Sequence, residues 1–186
     1  QQQLTTGQSL VVAATTQVAA GTVLQLAGGS LTTGTLLVDG GFTFDSGSLE
    51  LTSQNLIIST GELFGSVLVL HGDQELTVTQ DVDIDAAGMI RFEEDSLLTA
   101  GNILNAGVLQ FASPAASLTA QTINNNGIIR GTGRLLADLT NTVQGNLRVQ
   151  NGETMFVEGG AHTNAGWIDV VDAEIEFLGG LVNEAG

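Results

Sequence analysis

The stretch that decides the fold reads Gly88-Met-Ile-Arg-Phe92, and its phrasing returns as Gly107-Val-Leu-Gln-Phe111, Gly145-Asn-Leu-Arg-Val149 and Gly166-Trp-Ile-Asp-Val170. Each glycine is followed at its second and fourth places by apolar residues: Ile90 and Phe92, Leu109 and Phe111, Leu147 and Val149, Ile168 and Val170. Phe42 and Phe44 fill the same places after Gly40. Outward from these phrases, glycines stand at Gly40, Gly61, Gly88, Gly107, Gly127, Gly145, Gly166 and Gly186, at intervals of 21, 27, 19, 20, 18, 21 and 20 residues. Gly21 extends the series backwards less cleanly. Alternation sends every second side chain to one side, and a constant longer period brings the chain back over itself. Together they describe coils stacked into a solenoid.

Between the glycines the apolar residues fall into three pieces. After Gly107 these are Val108-Leu-Gln-Phe111, Ser117-Leu-Thr-Ala120 and Ile123; after Gly166 they are Trp167-Ile-Asp-Val170, Glu174-Ile-Glu-Phe177 and Leu181-Val182. Val, Leu, Ile and Thr dominate, which is strand composition. The sequence therefore predicts an all-β chain: a single parallel β-helix of about nine coils of roughly 20 residues, three short strands to a coil. Parallel stacking at the usual strand spacing makes it a rod on the order of 40 Å long.

One continuous domain is expected. Residues 40–186 carry the regular coils, and residues 1–39 form N-terminal coils or a cap. Residues 1–38 hold no charged side chain and no proline. Nothing there blunts an open strand edge, so that edge is expected to be covered, by irregular packing of Gln1 to Gln8 or by another chain. The coil over 61–87 is longer than its neighbours, and the excess is expected as a surface loop or added strand pair near His71-Gly72-Asp73. Two places before a marker glycine stand Asn105, Asn125 and Asn164. Asn and Gly both tolerate the positive φ of a sharp corner, and amides stacked in register can form a hydrogen-bonded ladder.

Composition narrows the function. Net charge is −16, from twenty acidic residues against four arginines and no lysine. Nucleic acid and anionic membrane surfaces, both bound through clustered Lys and Arg, are poor partners. Cysteine is absent, which removes disulfides and thiolate metal sites. No run of apolar residues is long enough for a transmembrane helix.

Three constellations bear on binding. Arg91, Arg130 and Arg148 occupy the third place after their glycines, on one outward line with Phe64, Gln110 and Asp169. They form either a stripe for acidic sugars or a partner's carboxylates, or a solvated face offsetting an acidic rod. Asp81, Asp83 and Asp85 alternate with Val82 and Ile84, so the three carboxylates share a face and are candidate ligands for Ca²⁺, or a solvated acidic face. Their spacing matches neither an EF-hand loop nor the nonapeptide calcium repeat. Catalytic signatures are missing. His71 and His162 fall about four coils apart, and no P-loop, HExxH or GxSxG phrase occurs. With one Trp, no Tyr and no Lys, the chain is not expected to be an enzyme.

Leu118-Thr-Ala-Gln-Thr-Ile-Asn-Asn-Asn-Gly127, Gly131-Thr-Gly-Arg-Leu-Leu-Ala-Asp-Leu-Thr-Asn141 and Gly145-Asn-Leu-Arg-Val149 resemble secreted bacterial β-solenoids of the filamentous-haemagglutinin and autotransporter-passenger type. The likeness runs over about residues 40–186. It implies a right-handed parallel β-helix, export to the cell surface, and service as a stalk or adhesin within a longer protein. It transfers no catalytic residue. The expected function is a structural or adhesive segment without catalysis or cofactor, with a surface polysaccharide or another solenoid chain as partner. The alternatives are a carbohydrate-binding or polysaccharide-cleaving β-helix, and a subunit that stacks head to tail into a fibre.

Overall fold

The computed structural model describes residues 1–184. The last spaced glycine, Gly186, lies outside them. Among the described residues every regular element is a strand, and every pairing is parallel to the counterpart one coil away. The chain winds as a β-solenoid of about nine turns.

Each coil has three walls. The first runs from Gln2–Thr5 through Met89–Phe92 to Trp167–Val171, the second from residues 9–12 through Leu97–Ala100 to Glu174–Phe177, and the third from residues 15–18 through Asn102–Asn105 to Gly180–Asn183. Some corners are turned without leaving the strand. Val108–Asn125 and Ile128–Asn141 each run through all three walls, bending where the register slips.

The inward residues make continuous columns. On the first wall Ile90, Leu109, Ile129, Leu147 and Ile168 stack one above another. Beside them run Phe92, Phe111 and Gly131, whose gap the stacked rings of Phe92 and Phe111 (4.5 Å between centroids) help to fill. The second wall contributes Leu31, Leu49, Leu76, Leu98, Leu118 and Leu135. This single core extends from Leu4 to Val157. The last coil leaves its inward residues partly open, with Ile168, Ile175 and Phe177 half-buried, as are Leu10 in the first coil and Phe42 and Phe44 in the third.

The spaced glycines have a reason other than left-handed backbone. At Gly107 a Cβ would run into the carbonyl oxygens of Gly88 and Asp85, and at Gly127 into that of Gly107. Close approach of successive corners excludes a side chain there. The two markers that do adopt positive φ, Gly21 (77°) and Gly61 (90°), are the two that fit the spacing least well, and each has open space where a Cβ would sit.

The long coil corrects the sequence in two places. Val67–Leu70, not the residues after Gly61, pairs with Met89–Phe92, so the outward line contains Val69 and not Phe64. The extra residues are 59–66, before that strand, and His71-Gly72-Asp73 is an ordinary corner matching Glu93-Glu94-Asp95. The inserted segment makes two successive turns, Glu62 N–H to Ser59 O (3.2 Å) and Gly65 N–H to Glu62 O (3.0 Å). It tucks Leu63 and Phe64 against the core, with Phe64 tilted on Phe42 at 6.1 Å.

Below this insertion the wall is breached. Residues 35–38 have no ladder to Leu56–Ile58 above them, and residues 41–44 have none to Val67–Leu70. Two glutamine side chains stand in for the missing strand bonds. Gln54 Oε1 accepts from Leu36 N–H at 2.8 Å, and buried Gln74 donates from Nε2 to Phe44 O while its Oε1 accepts from His71 N–H at 2.7 Å. Unpaired backbone groups must find partners or water, and here side-chain amides serve.

The N-terminal coil is not an irregular plug. Gln2–Thr5 is a first-wall strand in register with residues 24–28, and Ser9–Val18 supplies the other two walls. Residues 1–8 therefore extend the rod and do not fold over its end.

Candidate binding site

The first wall presents two parallel outward columns. One is Val69, Arg91, Gln110, Arg130, Arg148 and Asp169, as the glycine spacing led us to expect apart from its first member. The other is Val67, Met89, Val108, Ile128, Asn146 and Trp167, mostly apolar and ending in an indole that is 72% exposed. Period-2 alternation predicts both, but only the charged line stood out in the sequence.

The arginines are not equivalent. Arg91 pairs with Glu93 at 2.9 Å, and Glu93 also meets His71 at 3.1 Å. Arg148 reaches Asp169, one coil on, at 3.4 Å. Arg134, on the second wall, pairs with Glu158 and lies 5.5 Å over the ring of Phe156. Among the described residues Arg130 alone has no carboxylate at ion-pair distance; its Nη2 donates to the neutral Oε1 of Gln110 at 2.9 Å.

Arg130 borders a notch where the first wall meets the second. Coil 7 cuts this corner short. From Arg130 to Gly133 is three residues, whereas the paired positions one coil on, Arg148 to Met155, are seven apart. The coil before is longer too, because the ladder jumps from Ala112/Thr132 to Ser117/Arg134. Gly131 (φ 99°) allows the short cut, since a Cβ there would collide with the Phe111 carbonyl. The strand residues Gln110 and Phe111 on one side and the longer corner of the next coil, Gln150 to Glu153, on the other leave a polar recess of about 370 Å³.

On the third wall Asp81 and Asp83 point outward as expected, with Asp85 at the corner beyond. Asp83 lies between the exposed side chains of Ile57 and Leu104 on adjacent coils. Burial beside these apolar neighbours, then the charges of Asp81 and Asp85, raise its carboxyl above the ordinary range. Asp81 accepts from Asn102 Nδ2 at 2.8 Å. Alternate residues of a strand stand about 6.6 Å apart, wide for one ion with ligands at about 2.3–2.6 Å. Among the described residues no three acidic or histidine side chains come together to hold a metal. Asp81 and Asp83 share a face without forming a cage with Asp85.

His71 and His162 are four coils apart. His162 is buried on the inner side of the third wall, where its Nδ1 accepts from Leu139 N–H at 3.2 Å and its ring tilts on Phe177. Burial lowers its pKa, and the nearby Asp138 only partly opposes this.

The asparagines form a longer ladder than the spacing indicated. Nδ2 of Asn105 donates to Oδ1 of Asn125, Asn125 to Asn141, and Asn141 to Asn164, each at 2.7 Å; Asn164 donates to Asn183 at 3.1 Å. Asn141 stands four residues before its glycine, so the rule of two places missed it. The second wall also aligns Thr77, Thr99 and Thr119, bounded by Glu50 on one side and Leu136 on the other.

Comparisons with protein families, with curated proteins and with solved structures return no match for this chain.

Proposed function

We propose that this chain is a structural or adhesive β-solenoid segment of a secreted or cell-surface bacterial protein. The supporting observation is the uninterrupted core from Leu4 to Val157, which makes a stiff rod whose outward columns are addressable one coil at a time. Three of the four arginines are already neutralised by the rod's own carboxylates. Resemblance of the Thr-Ile-Asn-Asn-Asn-Gly127 phrasing to haemagglutinin-type and autotransporter solenoids supports export and adhesion.

The competing reading is a β-helix that cleaves polysaccharide. Incubating the intact chain with immobilised surface polysaccharides tests both. Reversible retention without new reducing ends is the expected result. Release of reducing ends would replace adhesion with cleavage, and no retention on any polysaccharide would leave only the structural half.

A self-stacking fibre is favoured by one further observation. Residues 1–38 carry no charged side chain, so nothing in these first coils repels a second chain. Sedimentation across a wide concentration range, with a mass that grows on concentration, is the outcome that reading requires.

A further inference from the structure

We propose that the notch at the short corner of coil 7 binds one carboxylate-bearing sugar unit, of uronic-acid type, with Arg130 as the carboxylate anchor. The inference deepens the adhesive half of the reading above.

Three observations converge on it. First, Arg130 borders the recess with a guanidinium bonded only to a neutral amide, in a protein whose other arginines are all paired. A planar guanidinium grips a carboxylate through two parallel hydrogen bonds, which a neutral amide cannot replace. Second, the rest of the lining suits hydroxyl groups. Gln110, Gln150 and Asn151 offer amides that both donate and accept, and Glu153 accepts. Glu153 is itself held in place by Gln150 N–H at 2.8 Å. The recess of about 370 Å³ is near the lower limit for small-molecule sites, the size of a single ring and not of a long chain segment.

Third, charge selects the class. Arg130 and Arg148 are balanced locally by Glu153 and Asp169, and the whole chain carries −16. A densely sulfated or phosphorylated polymer would be repelled by the surrounding rod, whereas one carboxylate meets a locally neutral patch. An acidic peptide would bring the same carboxylate but few hydroxyls for the amides to bind. The polar lining therefore favours a sugar.

The test is a titration of the intact chain, followed by backbone amide shifts, with glucuronate, galacturonate, their neutral parent sugars, and acetate. We expect saturable shifts at Arg130 and Asn151 with a uronate, and at least about tenfold weaker binding of the neutral sugar and of acetate. Arg130→Gln should lose about tenfold or more with the melting temperature unchanged, and Arg130→Lys should recover part of it. Oligosaccharides with a terminal and with an internal uronate then separate capture of a chain end from capture along a chain. Equal response to acetate, no saturation with either uronate, or an Arg130→Gln variant that binds as well as the parent would each overturn the site. Should polysaccharide retention survive Arg130→Gln, adhesion stands and only this site falls; should retention be absent while uronate binds, the reverse holds.

Discussion

Phe111 lies flat against Phe92, with 3° between the rings, and above it the column has only Gly131. Removing this ring leaves a cavity that no neighbour can close, so Phe111→Ala should cost about 3–5 kcal/mol in chemical denaturation. A loss below about 1 kcal/mol would mean that the corner collapses inward and that the column is not rigid there. Asp83 works the other way. Its carboxyl is raised in the folded state, which therefore holds its proton more tightly than the unfolded chain does. At neutral pH the folded rod carries a charge it disfavours, and that penalty disappears as pH falls through the raised value. Asp83→Asn should therefore raise the melting temperature at pH 7, and the gain should vanish at acid pH. A gain independent of pH would assign the effect to packing against Ile57 and Leu104. The alternation of residues 81–85 made these carboxylates legible as a shared face. That Asp83 is squeezed between apolar residues on two other coils was not, because register across coils is invisible in a local window. The marker glycines teach the same lesson. Their spacing was legible, while their cause, contact with the carbonyl of the coil below, belongs to stacking.

The asparagine ladder is the element that most depends on its neighbours. Asn125 is fully buried, accepts from Asn105 and donates to Asn141. Asn125→Ala strands the Asn141 Oδ1 acceptor in the core and leaves Asn105 Nδ2 only its bond to Ile128 O, at a cost of about 1–3 kcal/mol. Asn183 is exposed at the end of the row, and Asn183→Ala should fall within about 0.5 kcal/mol of the parent. Equal effects at the two positions would show that the amides act singly and not as a row. Three of the five asparagines could be read two places before a glycine. Asn141 could not, because the turn from Thr142 to Gly145 inserts two extra residues. The inserted segment misled for a related reason. Gly61 with Leu63 imitates the glycine-apolar phrase, whereas the true strand has Ser66 in the place of the marker glycine, with Gly65 one residue too early.

Across the whole rod the junctions between coils differ. Coils 1 and 2 are laddered on all three walls, but coils 2 and 3 lack the third-wall ladder, and coils 3 and 4 lack the first. Backbone amides in residues 36–44 and 56–70 should exchange with deuterium faster than those of residues 89–92 and 108–111, which are paired on both sides. Uniform protection along the rod would show that Gln54, Gln74 and the inserted turns close the breach as firmly as a ladder does. The solenoid itself was legible from its period. The breach was not, since nothing in residues 36–44 signals that the strand above them will be missing. Its consequence is mechanical. A solenoid pulled along its axis shares the load among three rows of hydrogen bonds at each junction, and here two successive junctions share it among two. Tension along the axis would part the rod first between residues 36–44 and 56–70, letting out slack there while the coils beyond stay wound.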